Sequence, residues 1–194
     1  IQNNDGSTPL HEASKNDFND SIDSNLFTFL IKNGADINIK DKDGNTALKM
    51  AANKGNTEIV QLLIDKKADI NAKNNYGDTA LIEASQWGDT EICKLLLNRG
   101  ADINARSYKG WNALMLAADH GHTKIVTTLL ENDADMNTKN EYGWTALMNA
   151  VSHGHTEIVT KLLKNGADMN TKSEDGITAL MIAARDGKTE IVQR

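Results

Sequence analysis

Five glycines, Gly44, Gly77, Gly110, Gly143 and Gly176, recur at a constant step of 33 residues. A second series, Gly55, Gly88, Gly121, Gly154 and Gly187, keeps the same step. So does the phrase Ala68-Asp69-Ile70-Asn71, which returns as Ala101-Asp102-Ile103-Asn104 and Ala134-Asp135-Met136-Asn137. Three series in one phase define a tandem array, and the fold of the chain is then the fold of one unit, stacked on its neighbours.

Each unit reads as two short helices and a turn. In the second unit Thr46 is placed to cap a helix that opens with Ala47-Leu48, and in the first Thr8-Pro9 supplies the favoured pair for the N-cap and first helical position. The helix after Thr46 buries Leu48, Ala51 and Ala52, whose small alanines admit a close neighbour, and it ends at Gly55. A second helix starts near Thr57 and carries Ile59, Val60, Leu62 and Leu63 at helical spacing. Gly34, Gly100 and Gly166 stand where that helix should stop in a left-handed residue. The polar run from Ile39 to Gly44 forms an exposed turn to the next unit.

The 33-residue period, the phrase Asp5-Gly6-Ser7-Thr8-Pro9-Leu10-His11, the recurring Thr-Ala-Leu-Met and the phrase Gly121-His122-Thr123-Lys124-Ile125-Val126 together resemble ankyrin repeats. The resemblance implies an all-α ankyrin-repeat solenoid, a curved stack of about six helix-turn-helix units with β-hairpin-like connecting turns. It spans 1–194 as a single domain, with units at about 1–38, 39–71, 72–104, 105–137, 138–170 and an incomplete 171–194. The first unit takes 26 residues from Thr8 to Gly34 against 21 from Thr46 to Lys67, which places five extra residues in a turn around Asn16–Ser24. Lys67 and Asp133 stand at the left-handed cap in place of glycine, at a cost of about 1 kcal/mol each. The last unit stops inside its second helix, at Ile191-Val192-Gln193-Arg194, and no polar capping unit closes the array. With Ile1 in place of an initiating methionine, the chain reads as a segment of a longer protein, and no compartment is legible in it.

Several chemistries are disfavoured. The net charge of −6 is spread along the chain, so no basic face is offered to nucleic acid. No run approaches the roughly 20 apolar residues of a membrane span. Cys93 is the single cysteine, set at an apolar helix position and expected to be buried and inert. His11, His122 and His155 match positions at which the ankyrin pattern favours histidine, leaving His120 and His153 unexplained. Those two lie one unit apart with no cysteine or carboxylate cluster beside them, so no metal site is expected. Asp36-Ile37-Asn38 and its copies echo the start of a calcium loop, but the required glycine and distal glutamate are missing, and recurrence in every unit points to turn architecture. Asn33-Gly34 and Asn165-Gly166 read as helix caps rather than hairpin signals, and Asn19-Asp20-Ser21 is a lone glycosylation sequon. Neither a phosphate loop nor a nucleophile–histidine pair within one unit is present, so the chain is expected to be no enzyme and to need no cofactor.

Comparison among the units separates framework from tolerant positions. The columns Lys42/Asn75/Tyr108/Glu141/Glu174, Asp43/Tyr76/Lys109/Tyr142/Asp175 and Asn45/Asp78/Trp111/Trp144/Ile177 vary along the turns. On the first helix, Met50/Glu83/Leu116/Asn149/Ile182 and Lys54/Trp87/His120/His153/Asp186 vary on one face. All six Trp and Tyr residues fall in such columns, whereas Phe27 and Phe29 replace core residues of the first unit's second helix. With neighbouring units about 10 Å apart, Trp111 and Trp144 become neighbours, flanked by Tyr76, Tyr108 and Tyr142 and adjoined by Trp87, His120 and His153. This pattern points to a protein-protein interaction module that binds a protein or peptide through its concave groove and turn tips. Trp111, Trp144, Trp87, Tyr76, Tyr108 and Tyr142 serve as anchors, and His120, His153, Asp78, Asn149 and Glu83 supply polar contacts. The expected state is a monomer, and self-association through the aromatic patch is a third possibility. The alternative is a passive scaffold or spacer within a larger multidomain protein. The aromatics would then only stiffen their turns.

Overall fold

The computed structural model describes residues 2–15 and 22–188. The enlarged turn of the first unit, Phe18, the sequon at Asn19 and the second helix of the last unit lie outside the described residues.

Eleven α-helices stand among the described residues, paired by repeat. They are α1 (Pro9–Ser14) with α2 (Ile22–Lys32), α3 (Ala47–Asn53) with α4 (Thr57–Asp65), α5 (Ala80–Trp87) with α6 (Thr90–Asn98), α7 (Ala113–Asp119) with α8 (Thr123–Glu131), α9 (Ala146–Ser152) with α10 (Thr156–Lys164), and α11 (Ala179–Arg185). A short 3₁₀ turn, Tyr108–Gly110, is an addition that the repeat pattern did not foretell. The chain forms two compact units, Ile1–Asp102 and Ile103–Arg194.

The first helix of every repeat starts in the same way. Thr8, Thr46, Thr79, Asn112, Thr145 and Thr178 hold extended backbone and accept a hydrogen bond from the backbone N–H three residues on. At Thr8 the box closes in both directions, since the His11 ring also meets the Thr8 backbone. The second helices end on a left-handed residue, as expected: Gly34, Gly100 and Gly166 have φ of +85°, +86° and +93°, and Lys67 and Asp133 adopt +69° and +61°. The backbone N–H groups around each reach back to the last carbonyls, as in Lys67 N–H to Ile64 at 2.9 Å and Ala68 N–H to Leu63 at 2.9 Å.

In the first compact unit α1 packs on α3 and α3 on α5, while α2 packs on α4 and α4 on α6. Leu48, Ala51, Ala52, Ile59, Val60, Leu63, Leu81, Ala84, Ile92 and Leu96 close this core. Leu62, expected in it, is only half-buried, and Ile64 takes its place inside. In the second unit α7 packs on α9, α9 on α11 and α8 on α10, around Leu114, Met115, Ile125, Leu129, Leu147, Ile158 and Leu162. Phe27 is fully buried, but Phe29 is 63% exposed, contrary to the expectation that both fill the core. Two residues along a helix turn the side chain through about 200°, so one face cannot take both.

The recurring Ala-Asp-Ile-Asn phrase is a ladder between repeats. Four of the aspartates fold onto their own turns, with Asp36, Asp69, Asp135 and Asp168 accepting the N–H of the asparagine two residues on at 2.9–3.0 Å. The asparagine Oδ1 then accepts the N–H of the next repeat's aspartate: Asn38 from Asp69, Asn71 from Asp102, Asn104 from Asp135 and Asn137 from Asp168, at 2.8–3.1 Å. These carboxylates are occupied by turn architecture.

Candidate functional site

The tolerance of the turn columns has a local cause. In three of the turns one residue ties the loop to itself through its side chain, and the turn that carries Tyr108 and Trp111 closes through its backbone, Ser107 N–H to the Trp111 carbonyl at 2.8 Å. Asp41 Oδ1 accepts from Asp43 and Asn45, Asn74 Oδ1 from Tyr76 and Asp78, and Asn140 Oδ1 from Tyr142 and Trp144, at 2.8–3.0 Å. The backbone closes the same loop, as where Asn140 N–H donates to the Trp144 carbonyl at 3.0 Å. Neighbouring turns are joined by Asn75 N–H to Asp43 and by Glu141 N–H to Lys109, both 2.9 Å. The conformation thus belongs to the tying residue and the backbone. The side chains at positions 76, 78, 142 and 144 are not needed to hold it.

In the first compact unit the candidates are Tyr76, Asp78, Glu83 and Trp87. Tyr76 and Trp87 are each 58% exposed. Asp78 is half-buried and accepts from the Asn74 amide at 3.3 Å. Glu83 does not offer a polar contact to the outside: it is 7% exposed, and its carboxylate is committed within the fold. One oxygen meets the Lys49 ammonium, and the other accepts from Asn53 at 2.7 Å and from the Trp87 indole N–H at 3.2 Å. The exposed indole is therefore held on an internal strut.

In the second unit Tyr108 and Tyr142 are 66% and 47% exposed, and Trp111 and Trp144 are half-buried. The structure brings the two tyrosines to one cation, for Lys109 Nζ lies 5.3 Å from each ring centroid. The phenol of Tyr142, hydrogen-bonded to this ammonium, pushes the lysine above its ordinary range. Lys109 itself is a left-handed residue, with φ +59°. His120 and His153 are exposed at the ends of α7 and α9, and a single carboxylate, which the sequence reading did not place, sits beside them. Asp119 lies 3.3 Å from His153 Nδ1 and 3.7 Å from His120 Nδ1. Each of these rings also stacks on the family-pattern histidine two residues on, at 5.9 and 6.0 Å. No group of three or more His, Cys, Asp or Glu suited to a metal occurs among the described residues. Asn149 is 2% exposed and donates to the Thr145 carbonyl at 3.1 Å, so it too is withdrawn from the surface.

Internal comparison missed Lys49, Asn53, Asp119 and Lys109. Lys49 had a signal: its column reads Lys49, Ile82, Met115, Met148 and Met181, and lysine departs from an apolar series. Cys93 is fully buried beside Ser85 Oγ, and burial pushes its thiol up to about 12.

A family model described as ankyrin repeats (3 copies) matches residues 18–107 and again 105–173. The chain belongs to the ankyrin-repeat family. Members of that family are generally protein-protein interaction modules and typically non-catalytic, which makes proteins the expected partners. A search of curated proteins returns no match. No helix among the described residues is long and apolar enough to cross a membrane.

Proposed function

We propose that this chain is a non-catalytic recognition module that binds a protein or peptide through its turn tips and the exposed ends of its first helices. Trp111, Trp144, Tyr108 and Tyr142 are the anchors in the second compact unit, with His120 and His153 as polar contacts. Tyr76 and Trp87 are the anchors in the first, with Asp78 beside them. The observation that carries the reading is the placement of the aromatics. All six Trp and Tyr residues occupy columns that the repeat leaves free, and none of them is buried. Trp and Tyr are over-represented among residues whose truncation removes about 2 kcal/mol or more of binding energy. A scaffold whose turns are already tied loses little conformational freedom when a partner docks.

The test is affinity capture from native lysate with the wild-type chain and with Trp111→Ala plus Trp144→Ala, each checked for an intact circular dichroism spectrum. The double variant is expected to lose at least one partner that the wild type retains. Retention of every partner would reject the second-unit anchors.

A further inference from the structure

The chain carries a net charge of −6, yet one depression in its first compact unit is lined by Lys15, Asn45, Lys49, Met50, Asn53 and Lys54, without a carboxylate. It is framed by the end of α1 and one face of α3, which pack against each other. The three ammonium groups differ in commitment. Lys49 is 8% exposed, and one of its three protons goes to Glu83, the only carboxylate paired with it in the described residues. Lys15 is held by Glu12 at 2.8 Å on its outer side and reaches Ser7 Oγ at 3.4 Å. Lys54 is exposed, the last residue of its helix turn. Asn45 and Asn53 each spend one amide proton, on Asp41 and Glu83, and each retains a second.

From this arrangement we infer that the depression is an anion-accepting pocket for a glutamate-type side chain of an acidic peptide segment. The half-buried Met50 offers an apolar wall to the methylene stem, while the exposed Lys54 and the protons that Lys15, Lys49, Asn45 and Asn53 do not spend on Glu12, Glu83 and Asp41 are the donors offered to the carboxylate. A nucleic-acid backbone is a poorer fit, because it needs a continuous basic track and this is one isolated cluster. The inference rests on the reading of the chain as a protein-binding module, but it concerns other residues than the Trp111/Trp144 surface.

The experiment is a titration of the ¹⁵N-labelled chain, at low salt, with acetylated tetraglutamate amide, with the matching tetraglutamine peptide and with inorganic phosphate. Tetraglutamate is expected to give saturable amide shifts at residue 15 and across 45–54, with tetraglutamine silent and phosphate weaker. Lys15→Gln plus Lys54→Gln, both at exposed positions, should weaken tetraglutamate on the order of tenfold while leaving the remaining spectrum in place. Added salt should also weaken it. Absence of shifts at 45–54, indifference to the two lysine substitutions, or phosphate binding as tightly as the peptide would each overturn the inference. A Trp111→Ala plus Trp144→Ala chain that loses its partners but keeps this titration separates the pocket from the aromatic surface.

Discussion

The five left-handed caps permit one substitution to be weighed almost in isolation. Lys67 and Asp133 hold φ of +69° and +61° where Gly34, Gly100 and Gly166 hold +85°, +86° and +93°. The hydrogen bonds around them are the same: Asp133 N–H to Leu130 at 3.2 Å and Ala134 N–H to Leu129 at 3.0 Å match Gly100 N–H to Leu97 at 3.1 Å and Ala101 N–H to Leu96 at 3.0 Å. Lys67 and Asp133 are exposed. A Cβ placed on Gly34, Gly100 or Gly166 meets nothing within 4 Å, so the penalty for a side chain at this site is one of backbone conformation alone. That penalty is about 1–2 kcal/mol for an L-residue, and glycine's greater freedom in the unfolded chain returns about 0.4–1 kcal/mol of it. Lys67→Gly should therefore gain about 1 kcal/mol. Asp133→Gly should gain less, because a short polar side chain tolerates this region better. In a chain of 194 residues, 1 kcal/mol corresponds to about 2–4 °C in the melting midpoint. The assay is thermal and urea unfolding followed by circular dichroism, with Gly100→Ala as the reciprocal variant, expected to lose what Lys67→Gly gains. An unchanged or lower midpoint for both glycine variants would refute the reasoning.

Three further outcomes are expected. Lys49→Met or Glu83→Leu alone leaves its nearly buried partner uncompensated and should cost about 3 kcal/mol in urea unfolding, whereas the double variant should return to within about 1 kcal/mol of wild type or exceed it. Gly143→Ala combines φ +73° with a Cβ 2.6 Å from the Glu174 backbone nitrogen, so it should lose more than about 2 kcal/mol; Gly176→Ala, at φ +74° with open space, should lose only about 1 kcal/mol in the same assay. Cys93 stays protonated in the folded chain to about pH 12, while the unfolded thiol ionises near its ordinary 9.0. Folded-state stability from this group is complete below pH 9 and is lost as pH rises from 9 towards 12, so the wild type should lose up to about 1.4 kcal/mol per pH unit more than Cys93→Ala there.

The fold was legible because its determinants are local and repeated. Threonine or asparagine at the N-cap, a helical apolar stripe and a left-handed stop recur in each copy, so each repeat corroborates the next. The exposure of Tyr76, Tyr108, Tyr142 and Trp87 was legible for a related reason, since a ring at a position that also accepts lysine, asparagine, glutamate or aspartate is not required inside. Glu83 and Asn149 escaped that logic. Their column mixes Met50, Leu116 and Ile182 with two polar residues, and a mixed column is equally compatible with a surface or with an interior that satisfies each polar group locally. The structure takes the second course, with Asn149 bonded to Thr145 and Glu83 to Lys49, Asn53 and Trp87.

Glu83 also indicates how an array of near-identical repeats acquires a distinctive surface. A change at an exposed variable position, such as Tyr76, alters one surface side chain and nothing else. The change at Lys49 and Glu83 falls at buried positions of adjacent repeats, one in an otherwise apolar column and one in a mixed column, and each departure is tolerable only with the other present. Its consequences reach outward in two directions: Glu83 fixes the indole N–H of Trp87, and Lys49 adds an ammonium to the lining of the depression beside Met50. Paired departures from the repeat consensus, rather than single variable positions, are therefore where a buried change can specify a surface. The test of this point is rotational. In Lys49→Met plus Glu83→Leu the chain should stay folded, while the Trp87 indole, released from its carboxylate, should show a broader fluorescence anisotropy decay when Trp111 and Trp144 are replaced by Phe to isolate its signal. An unchanged decay would mean that packing alone holds the ring, and that the ion pair shapes the pocket without orienting the anchor.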